Sequence, residues 1–201
     1  RFYVLALSQK SVRLVQCTRD AARQINLAGI VPGSMTEALS PGKSERSLQF
    51  HVGGPGKGKQ SAVYQGRGPE KLEENNIVLY CQQINQGLMK TLLRDESAPL
   101  VIAGVKSLFP IYKKASTYKH LYHEGVTGNP EKLSNAVLQQ RAFTILQPYF
   151  DRNEINAITE YRELQGTGHT TNDIADIAIN SQAGQVEKLL IATDAHFWGS
   201  F

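Results

Sequence analysis

Gly53-Gly54-Pro55-Gly56-Lys57-Gly58-Lys59-Gln60-Ser61, closed off by Gly66-Arg67-Gly68-Pro69, is the stretch whose residue types suggest chemistry. Each glycine costs backbone entropy to order and offers no side chain to bury, so a window this rich in glycine reads as a loop. Lys57, Lys59 and Arg67 make it cationic, because no Asp or Glu lies between Glu45 and Glu70. Glycine-freed backbone N–H groups beside mobile ammonium groups suit a phosphate backbone. The plainer reading is a disordered surface hairpin.

Gly53 through Lys59 satisfies the GxxxxGK opening of a phosphate-binding P-loop, but Gln60 stands where a Ser or Thr hydroxyl should meet magnesium. That motif also needs a helix directly after the lysine, and Gly66, Gly68 and Pro69 delay one. Leu189 to Asp194 could imitate its aspartate-bearing strand, yet it falls in what reads as another domain. His120 and His123, three apart, would share one side of a helix but have no third ligand nearby, which makes them a surface pair and leaves no metal site. His51 and His169 read as structural or exposed. No serine sits in a nucleophile elbow. Asp20, Asp95, Asp151, Asp173 and Asp176 fall at predicted element ends, where acids cap helices. No cofactor is implied.

The elements around the loop follow from periodicity. Phe2 to Leu7 and Val12 to Cys17 are β-prone runs joined by the hairpin-length Ser8-Gln9-Lys10-Ser11, and Ala22 to Leu27 could add an edge strand. Pro32 to Leu39 reads as a turn and a single capped helical turn. Leu48 to Val52 alternates into the loop and Ser61 to Tyr64 leaves it. Pro69, the acids Glu70, Glu73 and Glu74, and the stripe Ile77, Tyr80, Cys81, Ile84, Leu88, Leu92 predict a long amphipathic helix. Pro99 to Gly104 has the unbroken apolar character of a strand covered on both faces. Leu108, Ile111, Tyr112 and Ala115 mark a further helix, with Pro110 in its first turn.

From Thr117 to Pro130 the pattern loosens into what reads as an interdomain connector. Ser134 then caps a helix with the stripe Val137, Leu138, Ala142, Ile145, Leu146, Tyr149, which Pro148 should kink or end. Ile155, Ile158, Tyr161 and Leu164 continue a helical face to Gly166. Thr171 or Asn172 caps a short helix ending near Gly184, and Val186 to Thr193 reads as a strand. Phe197 and Trp198 read as core residues missing their partners.

The bounds set by composition are mild. At 201 residues the chain fits one large domain or one and part of a second, and its +4 formal charge excludes a polybasic sleeve. Cys17 and Cys81, far apart and inside apolar runs, read as buried reduced thiols of a cytoplasmic protein. No apolar run approaches the ~20 residues of a membrane span, and no signal peptide is evident. Opening on a strand at Arg1 and closing at Phe201 just after another, the chain reads as a piece of a longer protein.

The order of elements, with Phe2 to Cys17, Gly56-Lys57-Gly58-Lys59-Gln60-Ser61-Ala62 and Gly184 to Ile191, resembles the middle and third domains of the class-one peptide release factors of archaea and eukaryotes. Leu100 to Thr117 and Gly125 to Pro130 are similar to their bacterial relatives, the bacterial archaeo-eukaryotic release factor-like proteins. The resemblance implies an α/β fold: a ribonuclease H-like mixed sheet with flanking helices over residues 1–128, carrying the loop 53–68. Residues 129–201 would be an incomplete segment of a second α/β domain like the kink-turn-binding ribosomal proteins. It implies a cytoplasmic, ribosome-associated factor whose loop, through Gly53, Gly54, Gly56, Lys57, Lys59, Ser61 and Arg67, contacts ribosomal RNA or tRNA in rescue, hibernation or termination. Neither membrane nor DNA is an expected partner.

In the family the loop bears Gly-Gly-Gln, where glutamine helps water attack the peptidyl-tRNA ester. The matching triplet here is Gly58-Lys59-Gln60. Lysine for the second glycine adds a Cβ and a charge, penalising positive φ there by about 1 kcal/mol or more. Two alternatives therefore stand beside RNA contact: peptidyl-tRNA hydrolysis by Gln60 and Gly58, and a binding module that shares the fold outside translation. A metal-dependent nuclease is disfavoured, since Phe2 to Leu7 and Val12 to Cys17 carry no acid.

Overall fold

A computed structural model describes residues 1–40 and 69–192, with the backbone alone for 69–71. Five strands form one sheet: β1 (Phe2–Leu7), β2 (Val12–Cys17), β3 (Ala22–Ile25), β4 (Leu100–Gly104) and β5 (Leu121–Thr127), in the order β3-β2-β1-β4-β5. β2 pairs antiparallel with β1 and with β3, while β4 pairs parallel with β1 and with β5, so β2 alone runs against the other four. The predicted hairpin is present. Ser8 Oγ accepts the amides of Lys10 and Ser11 at 3.2 and 3.0 Å, which tightens the turn.

Five helices accompany the sheet: α1 (Met35–Ala38), α2 (Pro69–Thr91), α3 (Leu108–Ala115), α4 (Asn135–Glu163) and α5 (Ile174–Gln182). Every residue of β1 and β4 is buried, which is why both strands are continuous apolar runs. Tyr3, Leu5, Leu7 and Leu14 share a core with Tyr80, Cys81, Ile84 and Leu88 of α2 and Leu108 and Tyr112 of α3. Complete burial of one such leucine contributes about 1.5–3 kcal/mol. Phe2, Val4 and Ala6 alternate to the other side, where Phe2 meets Phe143 of α4 with ring centroids 6.2 Å apart. The start of α4 is tied to β2 by Arg13, whose guanidinium donates to Asn135 Oδ1 and to the carbonyls of Pro130 and Leu133 at 2.7–3.0 Å. Ser134 caps α4 as predicted, accepting from the Val137 amide at 3.3 Å.

The structure divides into two compact units, residues 1–145 and 146 onward. In the second, α5 is capped by Asp173 instead of Thr171 or Asn172: its Oδ1 accepts the amides of Ala175 and Asp176 at 2.8 and 3.2 Å. α5 ends at a turn where Gly184 takes φ +70°.

Two expectations are corrected and one is narrowed. Residues 117–130 are no mere connector, because they contain β5; its departure from alternation hides it in the sequence. Of the two outcomes expected at Pro148, a kink or an end, the end does not occur: α4 runs on to Glu163, in line with the helical face read from Ile155 to Leu164. Pro148 and Thr144, whose carbonyl loses its helical donor, are both exposed, so water can serve that carbonyl. Residues 186–192 form no strand. The second unit has no strand among its described residues to pair with them, and Leu189, Leu190 and Ile191 stand 47–66% exposed. Leu48 to Val52, Ser61 to Tyr64, Phe197 and Trp198 lie outside the described residues.

Candidate functional site

Gly53, Gly54, Gly56, Lys57, Gly58, Lys59, Gln60, Ser61 and Arg67 lie outside the described residues, as does His51. What the structure defines is how the two ends of residues 41–68 are held. The incoming end is a strap from Asn26 to Ser40. Leu27 O accepts the amides of Ile30 and Val31 at 3.0 and 3.3 Å, and Gly29 takes φ +75° in that turn. Gly87 of α2 receives the strap: a Cβ there would lie 2.2 Å from Ile30 O and 2.7 Å from a Val31 methyl. Only glycine permits this approach.

α1 completes the anchor. Ser34 Oγ accepts the Glu37 amide at 3.2 Å while the Glu37 carboxylate accepts the Gly33 amide at 2.9 Å, a variant of the capping box seen in Ser34-Met35-Thr36-Glu37. The Met35 amide donates to Gln9 O of the β1–β2 turn at 2.8 Å, and Gln83 Nε2 of α2 donates to Ala38 O at 3.2 Å. Beneath α1 the Tyr80 hydroxyl is buried with no hydrogen-bond partner among the described residues. Burial, then the nearby Cys81 and Glu37, push its pKa up and keep it neutral.

The outgoing end is the start of α2 at Pro69. Pro69 precedes Gln83 by fourteen residues, so the two ends are separated by about 21 Å along the helix axis at 1.5 Å per residue. In the first turns of α2, Leu72 is 54% and Leu79 45% exposed, Ile77 packs half-buried against the core, and Tyr80 is the first buried residue after Lys71. Residues 41–68, which carry the glycines, thus follow a strap docked on the body and precede the start of α2. α2 is described from Pro69, nine residues past Gln60, with Glu73 and Glu74 exposed in its opening turns; the stretch directly after Lys59, where a P-loop would need its helix, lies outside the described residues.

The histidine pair is placed differently from expectation. His120 precedes β5 and His123 lies within it, so they share no helix face. His123 Nε2 is 3.5 Å from Glu124 Oε1, and among the described residues no group of three His, Cys, Asp or Glu could hold a metal. His169 is exposed in the turn after α4. Glu124 is the one carboxylate on the five described strands.

Sequence reasoning missed one feature, a cleft between α3 and β5 lined by Phe109, Lys113, Tyr122 and His123. Its signal was the charge run: no acid lies between Ser97 and His123, while Lys106, Lys113, Lys114 and Lys119 do.

Among the described residues no helix is long and apolar enough to cross a membrane. No curated protein matches the chain. Residues 1–185 match the model of bacterial archaeo-eukaryotic release factor family 3, and with nearly its whole length covered, from the β1–β2 hairpin through α5, the chain belongs to that family.

Proposed function

We propose that this protein is a cytoplasmic, ribosome-associated factor of release-factor ancestry that presents residues 53–68 to ribosomal RNA or tRNA, in rescue, hibernation or a termination-like role. Family membership supports a translation-related role. The observation that carries the reading further is what flanks the loop in the chain: the strap before it docks on α2 through Gly87 and Gln83, and α2 itself follows it from Pro69. Residues 72–75 at that end of α2 are all exposed, so the helix start is open to a partner. In this reading Gly53, Gly54 and Gly56 allow close approach to RNA, and Lys57, Lys59 and Arg67 meet phosphates with Ser61 beside them.

The body fits the same ancestry. A sheet ordered β3-β2-β1-β4-β5 with only β2 reversed supports a ribonuclease H-like middle domain over residues 1–128. Residues 129–201 would supply the third-domain-like segment. Sedimentation of the full chain with ribosomes, lost in Lys57→Glu/Lys59→Glu, is the expected result; wild-type protein that stays in the supernatant would sink the proposal.

Peptidyl-tRNA hydrolysis is the second reading, favoured by family membership together with Gly58 and Gln60. Gln60 would orient the attacking water and Gly58 would let the backbone approach the ester. It requires release of peptide from ribosome-bound peptidyl-tRNA that Gln60→Ala abolishes. Equal release by both proteins would remove Gln60 from the mechanism.

A further inference from the structure

β4 and β5 fall out of step next to α3. β4 advances two residues from Leu100 to Ile102, while β5 advances four, from its partners Leu121 to Gly125. The two extra residues form a bulge at Tyr122, His123 and Glu124, and bulges re-aim side chains that a regular strand would send to opposite faces. Here the neighbouring rings of Tyr122 and His123 come within 4.5 Å of each other.

The bulge faces α3 across a cleft of about 230 Å³. Gly125 sets its depth: a Cβ there would lie 2.9 Å from the Phe109 ring and 2.6 Å from Ile102 O, so only glycine lets that ring rest on β5. Phe109 and Tyr122 are the aromatic residues of the lining, Lys113 also lines it and is exposed, and Glu124 is its single acid. Small-molecule pockets usually run about 300–1,000 Å³, so this smaller cleft suits a single ring better than a whole ligand.

Charge selects the partner. Lys106, Lys113, Lys114 and Lys119 are all exposed, and none is ion-paired among the described residues. With no acid from Ser97 to His123, this segment alone carries as much formal charge as the whole chain, +4. An apolar peptide would gain nothing from these lysines, whereas a strand of nucleotides offers phosphates at regular intervals and unpaired bases between them. Of these lysines Lys113 lines the cleft and Lys114 follows it on α3, and aromatic walls with adjacent cations are the elements of sequence-tolerant single-strand binding.

We propose that the bulged edge formed by α3 and β5 binds single-stranded RNA, one base lodging against Phe109 and Tyr122 while Lys113 and Lys114 hold the flanking phosphates. This surface is separate in sequence from residues 53–68, and the inference does not rest on the role proposed for them.

The test is fluorescence anisotropy of the full chain with a labelled 12-nucleotide single-stranded RNA of mixed sequence, each variant first checked for an unchanged circular dichroism spectrum. Lys113→Glu/Lys114→Glu should weaken binding about tenfold and flatten the dependence of log K on log salt by about 1.4, the share of two phosphates on a single strand. Tyr122→Ala should cost about fivefold or more. Both losses should persist when introduced into Lys57→Glu/Lys59→Glu. Unchanged affinity in both α3 and β5 variants would overturn the proposal and leave the loop reading standing. So would an equal loss in the control Lys10→Glu, or equal affinity for polyglutamate or for duplex RNA of the same length.

Discussion

Gly87 governs how closely the strap before α1 lies against α2. Its missing Cβ is replaced by the carbonyl of Ile30, so Gly87→Ala forces two backbones apart, a disruption of the overpacking kind worth about 1–3 kcal/mol. The urea midpoint should fall accordingly, with little change in far-ultraviolet circular dichroism. The cysteines behave as their surroundings dictate. Both are free and buried, and burial pushes the Cys17 thiol up to about 12 and the Cys81 thiol up to about 11. Alkylation by iodoacetamide at pH 8 should be negligible until denaturant is added. Because the folded-state values lie above the unfolded one, the native chain holds protons that the unfolded chain releases. Stability from these thiols is complete below about pH 9 and declines as pH rises towards 11–12, with buried Tyr112 adding to the same trend. Thermal melts from pH 8 to 10.5 should show a falling midpoint. Thiol burial was legible in the sequence, since both cysteines sit inside apolar runs. The demand for glycine at position 87 was not, for it arises from a contact with residues nearly sixty positions away.

Elements with a local cause were the readable ones. The stripe of α2 from Ile77 to Leu92 is spaced for one helical face, and four of its members, Tyr80, Cys81, Ile84 and Leu88, are buried. The cap of α4 was visible as Ser134, and a capped turn within Pro32 to Leu39, because capping is settled within three residues. Ser134→Ala should lower stability by about 0.5–2 kcal/mol, read from denaturant curves followed at 222 nm. Elements with a distant cause misled. Residues 186–192 have the composition of a strand, but a strand exists only where a neighbour supplies its hydrogen bonds, and no described residue does so. β5 failed in the opposite sense: its neighbour β4 is in place, while the two added residues at Tyr122 to Glu124 destroy the alternation that would have announced it. Of the candidate site, the glycine and lysine loop was plain from composition, whereas the docking of the preceding strap on α2 and the cleft beside Phe109 depend on tertiary packing.

At the scale of the molecule the two units differ in how much they bury. The first holds the aromatic and aliphatic core around β1 and β4; in the second, Leu146 is the one buried hydrophobic residue among those described, while Ile155, Ile174 and Ile179 stand 44–66% exposed. Local stability follows buried apolar contact, so amide exchange should be slowest in β1, β4 and residues 80–88 and markedly faster in α5. Protection of α5 equal to that of β1 would contradict this. The irregularity of β5 has a further effect on how copies of the protein behave together. A regular strand at the margin of a sheet offers evenly spaced donors and acceptors to any passing chain, which is the route to fibrils. Two surplus residues at one margin, and only four residues of β3 at the other, deny a second molecule that template, so the same distortion that shapes the cleft also guards against self-polymerisation.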